Sequence, residues 1–533
     1  MSNVTAKPKP ASGRFAFLRY MEINPVLIKD LRQAAYSWTV IGSVMLMMVV
    51  FYFIAVAFLL NGEFSDRSRN YMGPALYGSV SVVMMITTFC FIPIYVGIRT
   101  MLERTSINAD LLYITTMSPA SIIRGKFISG VYLVLLFYSA AVPFMVFSYL
   151  LRGIDLPTIG LSIGLFFLVN IMLIQGAITL AAAPLTIIFK ILVALFIGIP
   201  AIITAISICF GSVVSYELTR IMGRVDFWKE FMPVAGMIVM DGALFTGLMY
   251  QAAVAFVTPA SANRSLPFRR YFTFMWLLLG IQFMIWGWVI GEDEVVLTFL
   301  IGTGVLVFLG MWFGIGGRDD LSARVRKQIP ESLLSRSFAF YFYNGTFSCL
   351  LWLMGIWMGT MVMVAICNFF WIQYQTRSFF SGHLELIYLG TSLFILYAFA
   401  YALFSIWLQR RWLSRITTKL ACLFFFVLTV IPYILIQIVS LIVTQDSIDS
   451  DIPLPGVILD LFNTFDNHHR YGAEGLYYHL AAVLVLIGFG LLLNLKWVQS
   501  QITQFTPFTK PTTTMPPPSL PEPHAGEPPP VIS

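Results

Sequence analysis

Charge is what this sequence has least of. Only 11% of its 533 residues are Asp, Glu, Lys or Arg, against about a quarter in an ordinary soluble domain, which excludes a water-soluble fold. Cysteine is scarce too. The five (Cys90, Cys209, Cys349, Cys367 and Cys422) fall in or beside apolar runs, and no C-x-x-C exists, so neither a disulfide nor a metal site is expected. Apolar–polar alternation is missing. The hydrophobic runs are apolar on every side, unlike the strands of a membrane β-barrel. A phosphate-cradling loop is the last absence, since G-x-x-x-x-G-K-[ST] must open a helix after a strand. The one Gly-Lys, Gly125-Lys126, is followed by Phe127 and preceded five residues back by Ala120. With no soluble region large enough for a nucleotide domain, the chain is not expected to be an enzyme that hydrolyses ATP.

What is present is grease, 58% of the residues. Twelve runs reach span length, about 38–60, 76–98, 127–151, 158–182, 191–214, 233–257, 271–291, 295–315, 350–373, 384–408, 420–443 and 477–498. At 1.5 Å per residue each crosses roughly 30 Å of hydrocarbon. Loop charges fix the sides. With both termini inside, 25 of the 33 Lys and Arg fall on the cytoplasmic side and 8 outside, the bias that sets orientation. The net charge of +7 therefore marks topology, and no nucleic-acid partner is expected. The expected fold is all-α: a polytopic integral membrane protein of about 12 transmembrane helices in two six-helix blocks, both termini cytoplasmic.

Around the spans the chain divides readily. Residues 1–13 are polar, with Lys and Pro, and expected to be disordered. Residues 14–37, "RFAFLRYMEINPVLIKDLRQAAYS", mix apolar side chains with Arg14, Arg19, Lys29 and Arg32. Asn24 before Pro25 suits a helix cap with proline at the first helical position. The segment reads as an interfacial amphipathic helix on the cytoplasmic face of the lipid bilayer. The first six-span block covers 38–262 and the second 263–501. Residues 502–533, "ITQFTPFTKPTTTMPPPSLPEPHAGEPPPVIS", are Pro-rich and cannot pack a core.

One cytoplasmic loop is longer than a tight connection needs. In "ERTSINADLLYITTMSPASIIRGK", Glu103 to Lys126, "ADLLYITT" offers a short amphipathic helix with Leu111, Leu112 and Ile114 apolar. Ser118-Pro119 then makes a turn and helix start, followed by a basic lead into the third span. Two readings fit these residues: a solvated positive-inside loop, or a helix seated in the groove of a soluble partner.

The stretches "NPVLIKDLRQ" (24–33) and "ER…ADLLYITTMSPASIIRGK" resemble the membrane-spanning subunits of ABC transporters of the type-2, exporter-like permease family, over roughly residues 14–262. The resemblance implies that the segment bearing Asn24, Pro25, Lys29 and Arg32 is an interfacial connecting helix. It also implies that the 103–126 loop carries the coupling helix that docks on an ABC ATPase subunit. Glu103, Arg104, Leu111, Leu112, Thr115, Thr116, Ser118, Pro119, Gly125 and Lys126 would then lie at or near that contact. The implied function is the permease subunit of an ATP-driven export system in a bacterial cytoplasmic (inner) membrane. No cofactor would be bound by this chain, ATP would be held by the partner subunit, and a second permease, as a homodimer or a different chain, would complete the assembly. Six further spans are not explained by the resemblance.

Other features keep other classes open. Asp241, in "PVAGMIVMDGALFTGLMYQ", lies inside a predicted span, where a carboxylate is a functional site unless the span boundary is misplaced. A secondary, ion-coupled transporter would need such a residue in both halves, and the second block has no counterpart. The acidic outer loop 444–476, with the start of the last span, groups Asp466, His468, His469, Glu474 and His479, the place for a membrane-embedded lipid- or glycan-modifying enzyme. Adjacent histidines share no helix face, so a solvated loop is the expected reading there.

Overall fold

The computed structural model describes residues 24–61, 72–105, 117–151, 154–214, 225–259, 261–290, 293–317, 319, 321–375, 384–412, 420–444 and 474–507. Among these there is no strand. A short helix α1 (Pro25–Ala35) precedes α2 (Trp38–Asn61), then α3 (Met72–Ile86), α4 (Ile92–Thr105), α5 (Pro119–Leu150) and α6 (Leu156–Ala182). Next come α7 (Ile187–Val193), α8 (Ile199–Val214), α9 (Val225–Val257), α10 (Ser265–Ile290) and α11 (Asp293–Gly314). Two short helices, α12 (Ala323–Arg326) and α13 (Leu333–Phe340), lead to α14 (Thr346–Gln375), α15 (Leu384–Trp412), α16 (Leu420–Thr444) and α17 (Glu474–Gln504).

Among the described residues, eleven helical stretches are long and apolar enough to cross a membrane. In hydrocarbon only a helix satisfies its own backbone donors and acceptors, so runs this apolar fold as helices whatever their intrinsic propensity. The chain is a polytopic helical membrane protein. Of the twelve expected spans, the one at 420–443 corresponds to α16, in which the apolar stretch found is the shorter Ala421–Pro432.

Two of these stretches contain a five-residue π-turn, Thr87–Phe91 between α3 and α4 and Ala194–Gly198 between α7 and α8. Each ends one residue before an Ile-Pro pair, Ile92-Pro93 and Ile199-Pro200. Proline has no N–H to offer the preceding turn and its ring crowds that turn's carbonyl; a widened turn relieves both. Pro143, Pro233 and Pro432 lie inside helices without one.

The described residues form two compact units. The first draws on Met1–Ala260, Arg264–Leu300 and Met363–Phe379, the second on Ser261–Asn263, Ile301–Val362 and Phe380–Ser533. In the first, α6 packs against α4, α5, α8 and α9. Its inward stripe is partly polar, which explains how one helix serves so many neighbours. Ser162 bonds Tyr77 of α3. Asn170, fully buried, donates through Nδ2 to Tyr138 Oη at 2.8 Å, to Thr88 Oγ1 at 3.2 Å and to the Phe166 carbonyl at 3.0 Å. Thr179 donates to the Met249 carbonyl at 2.9 Å. Lipid is as apolar as a leucine core, so such bonds and close packing, rather than water exclusion, select which helices meet. Phe51, Phe89, Phe137 and Phe166 fill the spaces between.

In the second unit α15 lies against α16 and α17. Asp319, just past α11, accepts from the Thr346 backbone N–H at 3.1 Å and from Trp497 Nε1 at 3.0 Å, and it pairs with Arg410. The Arg410 guanidinium also lies 4.7 Å from the Trp497 ring centroid. One carboxylate thus holds the start of α14 and the last turns of α15 and α17. Beside it Val325, Ile329, Tyr343 and Phe505 make a small separate core.

Candidate functional site

The segments that the sequence singles out on opposite sides of the first two spans meet in the first unit. α1 starts at Pro25, and Asn24 caps it by accepting the Val26 N–H at 3.0 Å. The same Asn24 donates through Nδ2 to the Ser121 carbonyl at 2.6 Å, in the first turn of α5. That turn has its own cap, since Ser118 Oγ accepts the Ser121 N–H at 3.2 Å with Pro119 as the first helical residue. Gly125 makes the approach possible: a Cβ there would sit 2.8 Å from Asn24 Nδ2 and 3.1 Å from Val26 Cβ.

Charge then locks the junction. Glu103, near the end of α4, accepts from Lys29 of α1 at 2.7 Å on Oε1 and from Lys126 of α5 at 2.5 Å on Oε2. Lys126 also faces Asp30 of α1 at 3.6 Å. Two carboxylates and two ammonium groups balance. The four are not equally sheltered, for the Lys126 side chain is 7% exposed, Asp30 15%, Glu103 21% and Lys29 50%. Burial pushes the Asp30 carboxyl above its ordinary value of 3.8. Lys126 pulls it back, Glu103 adds to the rise and Lys29 opposes it. A cavity of about 20 Å³, room for a single water, opens beside Asp30, Gln33, Arg99 and Lys126. Tyr250 adds α9 to the junction, donating to the Ala120 carbonyl at 3.0 Å.

The geometry makes α1, the end of α4 and the start of α5 one block. Glu103 and Lys126, the two ends of the long segment between the second and third expected spans, are in direct contact. Leu111, Leu112, Thr115 and Thr116 lie outside the described residues, and with them the expected short amphipathic helix. Arg104 is the penultimate residue of α4, and Arg32 is exposed on α1. Asp30 is the member of the cluster that sequence reasoning misses. Its signal is the one acid of α1, beside Lys29, where a purely basic face would suit lipid headgroups.

Elsewhere, Asp241 lies on α9 and accepts from Gln282 Nε2 of α10 at 3.1 Å. His479 is fully buried, with Nδ1 2.9 Å from Tyr397 Oη. His468 and His469 lie outside the described residues.

No family, no curated protein and no solved structure matches this chain. The site therefore has to be read from its own chemistry.

Proposed function

We propose that the chain is the membrane-spanning permease subunit of an ATP-driven ABC export system in a bacterial inner membrane. It takes its mechanical input from a separate ATPase chain through the cytoplasmic 103–126 segment. The observation that carries this is Glu103 bound at once to Lys29 and Lys126. A push on the segment moves its two ends and α1 together, and Tyr250 on Ala120 passes the displacement to α9. A solvated loop that served only to connect two spans would need no such base. The chain has no phosphate-cradling loop, so the driving energy arrives from outside as a shift between two membrane arrangements. A second permease, as another copy or a different subunit, completes the transporter.

The test is purification from the native membrane, looking for a bound protein with a Walker loop. Leu111→Asp combined with Leu112→Asp is expected to release that protein and abolish ATP-driven transport while the thermal transition of the chain stays put. Absence of any nucleotide-binding partner from the wild-type preparation sinks the reading. So does labelling of a thiol introduced at Ser106 by an impermeant reagent applied to intact cells.

A further inference from the structure

Asp241 and Gln282 sit at matching depth on antiparallel neighbours. Asp241 is eight residues after Pro233, where the spanning part of α9 begins, and Gln282 is seven before Val289, where that of α10 ends, so the two lie roughly 10–12 Å in. The outward faces at this level are apolar: Ile238, Val239 and Phe245 on α9 and Ile281 and Ile285 on α10 are exposed. Across from Asp241, Leu168 and Met172 of α6 approach Gly242. Gln282 itself is only 9% exposed.

Only half of this pair is satisfied. Gln282 Nε2 donates to Asp241 Oδ2, yet Asp241 Oδ1 and Gln282 Oε1 are both shut off from solvent, and neither accepts a hydrogen bond from any described residue. Two orphan acceptors on a bonded pair of side chains in hydrocarbon are costly, and an ionised carboxylate among them more so. Among the described residues no charged side chain pairs with Asp241. The α6 sequence has no ionisable residue, α5 contributes Arg124 and Lys126 near its start, and α10 contributes Arg269 and Arg270, twelve or more residues from Gln282. On α9, Asp226, Lys229 and Glu230 come eleven or more residues before Asp241. Exchanging the amide oxygen and nitrogen of Gln282 turns the amide oxygen onto Oδ2 instead, so the pair is a donor short in either assignment.

We infer that Asp241 and Gln282 form an intramembrane proton-binding site: a proton on Asp241 Oδ1 is donated to Gln282 Oε1 while Gln282 Nε2 donates to Oδ2. One proton, taken from water, turns two orphan acceptors into a paired acid and amide and removes the charge. The site rests on this geometry alone and stands whether or not an ATPase drives the protein.

Infrared spectra of the full chain in lipid nanodiscs at neutral pH test it. The wild type should show the carbonyl band of a protonated carboxylic acid. Asp241→Asn, which keeps a donor toward Gln282 Oε1 and so the fold, should lose that band. Gln282→Leu should move it to higher frequency, because the acid carbonyl loses its donor. An Asp241-dependent carboxylate band in its place overturns the inference. So does a wild-type acid band that appears only after sodium is removed, which would make the occupant a metal cation.

Discussion

Lys126 Nζ lies 2.5 Å from Glu103 Oε2, although 23 positions separate them in the chain. This contact defines the base of the segment on which the proposed coupling depends, and it is nearly enclosed.

Removing the buried cation leaves Glu103 and Asp30 facing each other with only the half-exposed Lys29 to balance them. Lys126→Met should therefore lower stability by about 3–5 kcal/mol. Lys29→Met removes the half-exposed partner and should cost at most about 1 kcal/mol. Thermal unfolding of the detergent-purified variants compares them, and equal losses would show that Lys126 is not the keystone.

Asp30 should behave oppositely to an ordinary paired carboxylate. Its folded value is raised, so its contribution to stability is full below 3.8, the unfolded value, and is lost as pH rises through the folded one. Asn cannot titrate. The stability of Asp30→Asn relative to wild type should therefore climb from acid towards neutral pH and then level off. A difference that falls over that interval would show that attraction to Lys126 outweighs burial.

Two glycines separate close approach from simple flexibility. Gly125→Ala drives a methyl into Asn24 and Val26 and should cost about 1–3 kcal/mol by loosening α1. Nothing lies within 4 Å of a Cβ at Gly176, inside α6 and six residues before its end, so Gly176→Ala should gain up to about 1 kcal/mol. Melting curves of the two should move in opposite directions.

The buried Asn170–Tyr138 bond is open to a double-mutant cycle. Asn170→Leu and Tyr138→Phe should couple by about 0.6 kcal/mol, and by no more than about 1.7, the range for hydrogen bonds between membrane helices. Zero coupling would mean that Thr88 and the Phe166 carbonyl already satisfy the amide.

Much of the architecture follows from composition, since apolar runs of this length have no other stable form in lipid. The start of α1 at Pro25 and of α5 at Pro119 are equally open to view, because Asn24 and Ser118 cap by purely local geometry. The π-turns are less visible. Ile92-Pro93 and Ile199-Pro200 announce a disturbed helix, but Pro143 gives the same local signal without such a turn. Glu103, Lys126 and Lys29 stand out in the sequence only as separate residues near a contact. Nothing in their spacing says that they touch, nor that Asp30 joins them.

The chain by itself determined its solvent and its helices, because burying apolar side chains and satisfying backbone groups are matters of each segment alone. Which helices pair was decided only in three dimensions. In hydrocarbon an apolar face prefers no particular neighbour, so the choice falls to a few polar and charged groups, such as Glu103 between Lys29 and Lys126, or Asp241 beside Gln282, whose partners lie far away in sequence.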